Sequence, residues 1–201
     1  MRKIFKFIIF FVFVVSLTTC KKKEENSFES IAFQHGDLVF REGIGTKSRA
    51  VLHVDSLGIY SHIGIVVLQD SVFQVVHITP GERKSGENVD KIKIEPVNEF
   101  WRKDRAQHGA LYRLKENSWG EKAAEQALRL LQKGVLFDHN YQLCDTTEMY
   151  CTEFVWYSYA QAGKDISFGK RSVLNVPLYA GTYILPSDIY LNSEFVLLYK
   201  F

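Results

Sequence analysis

The chain has 201 residues, of which 46% are hydrophobic and 24% charged, with a formal net charge of +2. That length accommodates one domain with a substantial core and excludes two comfortable ones. The near balance of charge excludes a nucleic-acid binder driven by electrostatics, and three cysteines exclude a fold built on a disulfide framework.

Residues 1–19 differ from everything after them. Arg2, Lys3 and Lys6 make a basic start, and Ile8 to Val15 is an unbroken apolar run, the pattern of a secretory signal and too short for a membrane span. The alternative, an uncleaved N-terminal membrane helix, keeps the same envelope location. Ser16-Leu17-Thr18-Thr19-Cys20 resembles the lipobox of bacterial lipoproteins, in which a signal peptidase cuts before a cysteine that then carries lipid. The expected division is a signal peptide over 1–19, a lipidated Cys20 and tether over 20–35, and a catalytic domain over 36–201. The lipid at Cys20 would anchor the protein to the outer membrane of a bacterial cell envelope, facing the periplasm or the surface. Three of the 25 basic residues and none of the 23 acidic ones lie in the signal, so the mature chain carries 22 against 23, a net of −1. No nucleic acid is expected as a partner, and a monomer is.

From Gly36 the chain breaks into short apolar runs. Gly36-Asp37-Leu38-Val39-Phe40 is a glycine turn leading into a strand, and residues 48–54 read as a short helix or irregular segment. Tyr60 to Leu68 and Val72 to Ile78 are β-branched strands around a turn at Gln69-Asp70-Ser71, an antiparallel hairpin. With that turn His62 pairs with position 77 or 78, which places His62 and His77 side by side, about 5 Å apart at Cβ. Lys91 to Glu95 alternates like a strand with one solvated face, Val97 to Lys103 like a short helix, and Gly109 to Leu114 like another strand. Trp119 to Lys133 is an amphipathic helix with Ser118 as N-cap and Gly134 as terminator. Beyond Gly163, residues 167–186 lack a period and read as ordered loop, and Glu194 to Tyr199 as a final strand.

Between these lies Tyr150 to Gly163. Phe154, Val155, Ser158, Tyr159 and Ala162 share a helical face with Cys151, so the thiol stands at the start of a buried helix, where unpaired N–H groups favour the thiolate and lower its pKa toward neutrality. Asp145, Thr146, Thr147 and Glu148 are the expected caps. A nucleophilic thiol needs a base and a third group that orients the base. Cys151, His62 and His77 supply the three types, and the backbone N–H of Cys151 is a natural oxyanion donor. Tyr60 and Asp37 are further candidates for substrate binding or the oxyanion. His35, His53, His108 and His139 lack a comparable context. A zinc site of Cys151, His62 and His77 would satisfy a three-ligand pattern, but no HExxH or CxxC pair accompanies it, and neither metal nor cofactor is expected. A non-catalytic reading also stands: Cys144 and Cys151 paired as a structural disulfide, or Cys151 merely packed, in an envelope binding module.

The motifs around Gly36-Asp37, Tyr60-Ser61-His62-Ile63-Gly64, Phe137-Asp138 and Tyr150-Cys151-Thr152-Glu153-Phe154-Val155 resemble, in that order, those of the permuted papain-like amidases of the YiiX/YaeF type within the NlpC/P60 superfamily. Papain-like chains usually place the cysteine helix before the histidine strand, and here the histidine precedes. The resemblance implies an α+β, circularly permuted papain-like fold, an antiparallel sheet or half-barrel with the cysteine helix packed against it. It also implies a nucleophile at Cys151, a base at His62 and a third polar residue where His77 falls. Thr152 stands where a serine is common, and His77 where the family often has an acid. The expected activity is that of a cysteine hydrolase cleaving an amide, in peptidoglycan stem peptide or a related small peptide, through a thioester. The alternative within the superfamily is an acyl hydrolase or acyltransferase acting on an acyl-lipid substrate.

Overall fold

The computed structural model describes Phe28 and residues 31–83, 86–143, 146–175 and 180–201; the proposed signal, Cys20, most of the tether and Cys144 lie outside them. Along the chain run β1 (Leu38–Gly43), α1 (Thr46–Val54), β2 (His62–Gln69), β3 (Val72–His77), β4 (Lys93–Pro96), α2 (Val97–Phe100), β5 (Ala106–Leu114) and α3 (Ser118–Lys133). There follow β6 (Leu136–Phe137), β7 (Glu148–Met149), α4 (Cys151–Gln161), β8 (Ser172–Leu174), β9 (Gly181–Tyr183), α5 (Pro186–Tyr190) and β10 (Phe195–Lys200).

Among the described residues the main sheet has six strands in the order β10-β5-β1-β2-β3-β4, each pair antiparallel. Its central strands are buried on both faces, which is why β2 reads as a continuous apolar run and not as an alternation. Leu38, Phe40, Ile63, Ile65, Val67 and Val76 point to one side, into the cluster with Ala123, Ala127 and Leu130 of α3 and Phe154, Val155 and Tyr159 of α4. Val39, Val66, Val75 and Leu111 point to the other, against Val97, Phe100 and Trp101, with Phe28, Ile31 and Phe33 packed there too. The architecture is thus the expected α+β antiparallel sheet with the cysteine helix against it.

The Gly36-Asp37 motif has a structural cause. Gly36 has φ +94°, and a Cβ on it would lie 2.1 Å from the backbone carbon of Gly120 in α3, so both conformation and contact demand glycine. Asp37 is fully buried and takes a two-pronged ion pair from Arg113, Nε to Oδ1 at 2.6 Å and Nη2 to Oδ2 at 2.8 Å. The turn is pinned further by Tyr159 of α4, whose hydroxyl donates to the Gly36 carbonyl at 2.6 Å.

Three local expectations are corrected. Ser118 is the first residue of α3, and Asn117 precedes it without a side-chain cap; Gly134, at φ +70°, closes the helix by donating to Leu130 and Leu131 as expected. Residues 167–186 are not loop alone, since β8 and β9 form an antiparallel ribbon too short and too exposed to show a period. The register of β2 and β3 runs Ile65 to Val76 and Val67 to Gln74. One further step sets Gly64, not His62, opposite His77, so the two histidines are diagonal neighbours.

Candidate active site

His62 opens β2, where it pairs with Arg41 of β1. A side chain at position 64 would collide with Val75 Cγ1 at 2.5 Å and crowd the Cβ of His77 at 3.1 Å. Gly64 therefore clears the face across which the imidazoles meet: His62 Nε2 lies 2.8 Å from His77 Nδ1. Both rings are buried against Phe100, on which His62 stacks at 5.5 Å between centroids. His77 Nε2 reaches Glu95 Oε1 of β4 at 3.0 Å, because β3 and β4 pair His77 with Lys93 and so bring Glu95 to the adjoining step.

The direction of this chain of hydrogen bonds follows from its acid end. Burial disfavours the Glu95 carboxylate, yet the hydrogen bond from His77 and the charge of Lys93 outweigh it and hold the group below the usual carboxylate range. An ionised Glu95 only accepts, so His77 Nε2 carries the proton and its Nδ1 is a lone pair. His62 Nε2 therefore donates to His77, and His62 Nδ1 is left as the basic nitrogen. Burial lowers His77 to about 4, and burial, with Arg41 next, takes His62 well below its ordinary value. Both rings are neutral at pH 7.

Beneath the histidines lies a charge network absent from the sequence reading. Lys93, taken there as part of a solvated face, is 7% exposed and donates to Glu82 and Glu95, each at 3.0 Å. Arg105 bonds both oxygens of Glu95 at 3.1 and 3.2 Å. Arg41 is 2% exposed, pairs with Glu82, donates to the Phe100 carbonyl at 2.9 Å and lies 4.7 Å above the Phe100 ring. The signal available was the meander itself: a strand directly following β3, with Lys93 and Glu95 on one face, belongs beside His77.

Cys151 is the first residue of α4, as expected, with Tyr150 extended before it. A capping contact comes from inside the helix: Tyr150 N–H donates to Glu153 Oε2 at 3.4 Å. Asp145 and Cys144 are outside the described residues, so the proposed Cys144–Cys151 pair is too; Cys151 is a free thiol. The expected low pKa is reversed. Burial pushes the Cys151 thiol up to about 11, and although N–H groups of Ile63, Thr152 and Cys151 itself and the charge of Arg41 pull the other way, they do not overcome it. The resting pair is thiol and neutral imidazole. Partial exposure of the residue as a whole coexists with that burial because Cys151 lies at the wall of a cavity.

This cavity, of about 380 Å³, is lined by Cys151 and His62 together, with Arg41, Ser61, Glu82 and Arg105. A second, of about 420 Å³, meets it at Cys151 and runs between α1 and the segment 183–186. Tyr60 and Asp37 border neither. Tyr60 sits in a ring cluster with Phe40 at 5.7 Å and Tyr190 at 5.1 Å, and Asp37 is held by Arg113, so the structure brings together Cys151, His62 and His77 and leaves these two in the scaffold. His35 accepts from Leu68 N–H at 2.9 Å, His108 is exposed beside Glu42, and His53 and His139 border the second cavity at the surface.

The family described as "Permuted papain-like amidase enzyme, YaeF/YiiX, C92 family" matches residues 32–184. The chain belongs to the permuted papain-like amidases. Among solved structures it is similar to "metalloprotein yiiX from Escherichia coli O157:H7", with a TM-score of 0.65 and 20% identity over 83% of this chain and 97% of that one. A search of curated proteins returned no match. As a permuted papain-like amidase the chain is of an amide-hydrolysing kind, and its histidine strand precedes its cysteine helix, the order by which the family differs from other papain-like chains.

Proposed function

We propose that the protein is a cysteine hydrolase that cleaves an amide bond through a thioester on Cys151, with His62 as base and His77 as the group that orients it. The observation that carries this reading is the convergence of Cys151 and His62 on one cavity, with the Nε2 of His62 occupied by His77 and its Nδ1 left for the thiol. The thiol proton passes to His62 Nδ1 as sulfur attacks the carbonyl carbon, and the N–H groups at the start of α4 donate to the developing oxyanion. Collapse breaks the C–N bond, and the imidazolium returns its proton to the leaving amine. Water, deprotonated by the same imidazole, then hydrolyses the thioester.

The neighbouring structure is described as that of a metalloprotein, so a metal deserves a test of fit here. His77, Glu82 and Glu95 bring one donor atom each within 4.8 Å of one another. Those donors are already engaged: Glu82 by Arg41 and Lys93, Glu95 by His77, Lys93 and Arg105. A divalent cation would face three side-chain cations at ion-pair distance, and the residues present do not fit one.

Sequence supports a bacterial envelope setting with a lipid anchor at Cys20 and small peptides or amides, stem peptide included, as substrate. Among the described residues no helix is long and apolar enough to cross a membrane. Incubation of the full-length protein with a panel of peptide amides, followed by mass measurement, tests the chemistry: the acyl group should be trapped on Cys151, and turnover should vanish in Cys151→Ala and fall by at least about a hundredfold in His62→Ala. Undiminished turnover in Cys151→Ala would sink the assignment. Radiolabelled palmitate incorporated by the parent and not by Cys20→Ala checks the anchor.

A further inference from the structure

We infer that the free edge of the sheet at β10 is seated on the phospholipid surface to which Cys20 would anchor the chain, as a second contact with the bilayer made by the protein itself. The inference rests on the lipid-anchor reading of Cys20 and is independent of the chemistry at Cys151. β10 ends the main sheet, with β5 on one side of it and no described strand on the other. Val196 and Leu197 pair with Arg113 and Tyr112 of β5, so they point to opposite faces. Val196, Leu197, Leu198 and Phe201 are nevertheless all between 39 and 44% exposed. Apolar side chains thus stand uncovered on both faces of the strand, and it is the edge itself, not one face of the sheet, that lacks a cover.

Two features decide what covers it. A second copy of the chain would have to add its own strand to this edge, but the ladder shifts register between Leu197 and Tyr199, and such bulges are a device by which edge strands resist pairing. The N-terminal segment points instead to lipid. Phe28 packs its ring against Trp101 at 5.1 Å, Phe201 at 5.7 Å and Tyr199 at 6.1 Å between centroids, beside the open edge. Cys20 stands eight residues earlier, a reach of at most about 28 Å, so an acyl anchor there holds the β10 edge within that distance of the bilayer. Tyr199 supplies a ring of the kind favoured at the headgroup level, and Phe28 and Phe201 supply apolar faces for the boundary with the acyl chains. Lys200, exposed on the same strand, and Lys21, Lys22 and Lys23 before Phe28 suit anionic headgroups. Seating at that depth leaves the unpaired N–H and C=O groups of the edge hydrated, as hydrocarbon would not. His62 lies on the third strand inward from β10, about 14 Å away at the usual strand spacing, so the catalytic cavity would work close to the headgroups.

The test replaces Leu198, and independently Val196, by the photo-crosslinker p-benzoylphenylalanine. Val72, an exposed residue of β3 four strands from β10, is replaced in the same way for comparison. Each full-length chain, processed by a bacterial host, is reconstituted into vesicles of phosphatidylethanolamine and radiolabelled phosphatidylglycerol, floated on a density gradient and irradiated. Positions 198 and 196 should yield a phospholipid adduct, and position 72 no more than an unirradiated sample. Leu198→Glu should cut the adduct at 196 about fivefold, by setting a carboxylate against an anionic surface. Floating protein with no more adduct at 198 and 196 than at 72, or joined at 198 to a second copy of the chain, would overturn the seat while leaving the anchor intact. Failure of the parent to float would overturn the anchor and this inference together.

Discussion

His77 bonds His62 through Nδ1 at 2.8 Å and Glu95 through Nε2 at 3.0 Å, so a carboxylate that never touches His62 decides which of its nitrogens is free. Glu95→Gln removes the charge and offers an amide N–H where His77 now donates, which turns the relay round and protonates the nitrogen needed as base. The expected loss in kcat is on the order of 10²–10⁴-fold with KM little changed, as for other catalytic histidines locked in the wrong tautomer. An unaltered kcat would show that His77 takes no direction from Glu95.

Because burial holds the Cys151 thiol at about 11, its alkylation by iodoacetamide should keep rising from pH 7 to pH 10 with no plateau near neutrality. Arg41 favours the thiolate, so Arg41→Gln should move the curve further to high pH. A plateau below pH 8 in the parent would mean an ion pair at rest.

Folded His77 titrates at about 4, below its ordinary 6.5, so the unfolded chain binds the proton first as pH falls. Stability is therefore complete above about pH 6.5 and drains away down to about pH 4, at up to about 1.4 kcal/mol per pH unit for this one group, roughly 3 kcal/mol in all. His62 and the depressed Glu95 act in the same direction. Urea unfolding from pH 7.5 to pH 5 checks this, and His77→Gln should flatten the slope.

Gly36→Ala should lower stability by about 2–4 kcal/mol, from the positive φ and the collision with Gly120. A change in melting temperature of less than a degree would contradict the close approach of that turn to α3.

Asp37→Ala leaves Arg113 without its buried partner and should cost about 3–5 kcal/mol without altering the alkylation rate of Cys151 in the folded protein. Here the informative result is the split between the two measurements; a fall in both would return Asp37 to the site.

Much of this was legible in the residues. The thiol at the helix start and the β2–β3 hairpin depend on local periodicity and on turn residues that act within a few positions, and the order of motifs supplied the family. What escaped depends on tertiary placement. A one-step error at the turn moves a whole register, which is why His62 and His77 were expected opposite and stand diagonal. Glu95, Lys93 and Arg105 look like ordinary surface charges until the sheet closes over them. The Cys151 pKa went the wrong way because helix-start N–H groups can be read from position, whereas burial cannot. Asp37 and Tyr60 drew attention as polar groups beside motifs, yet one answers an arginine from β5 and the other an aromatic cluster.

His62, His77 and Glu95 lie on β2, β3 and β4, three strands joined in sequence order, while the thiol arrives on a separate helix laid across the sheet. The relay is thus one stretch of chain whose alignment the meander maintains, and the sulfur is placed separately, by the packing of α4 against the sheet. A substitution that reseats α4 against the sheet would therefore change the reach between sulfur and imidazole while leaving every hydrogen bond behind the imidazole in place.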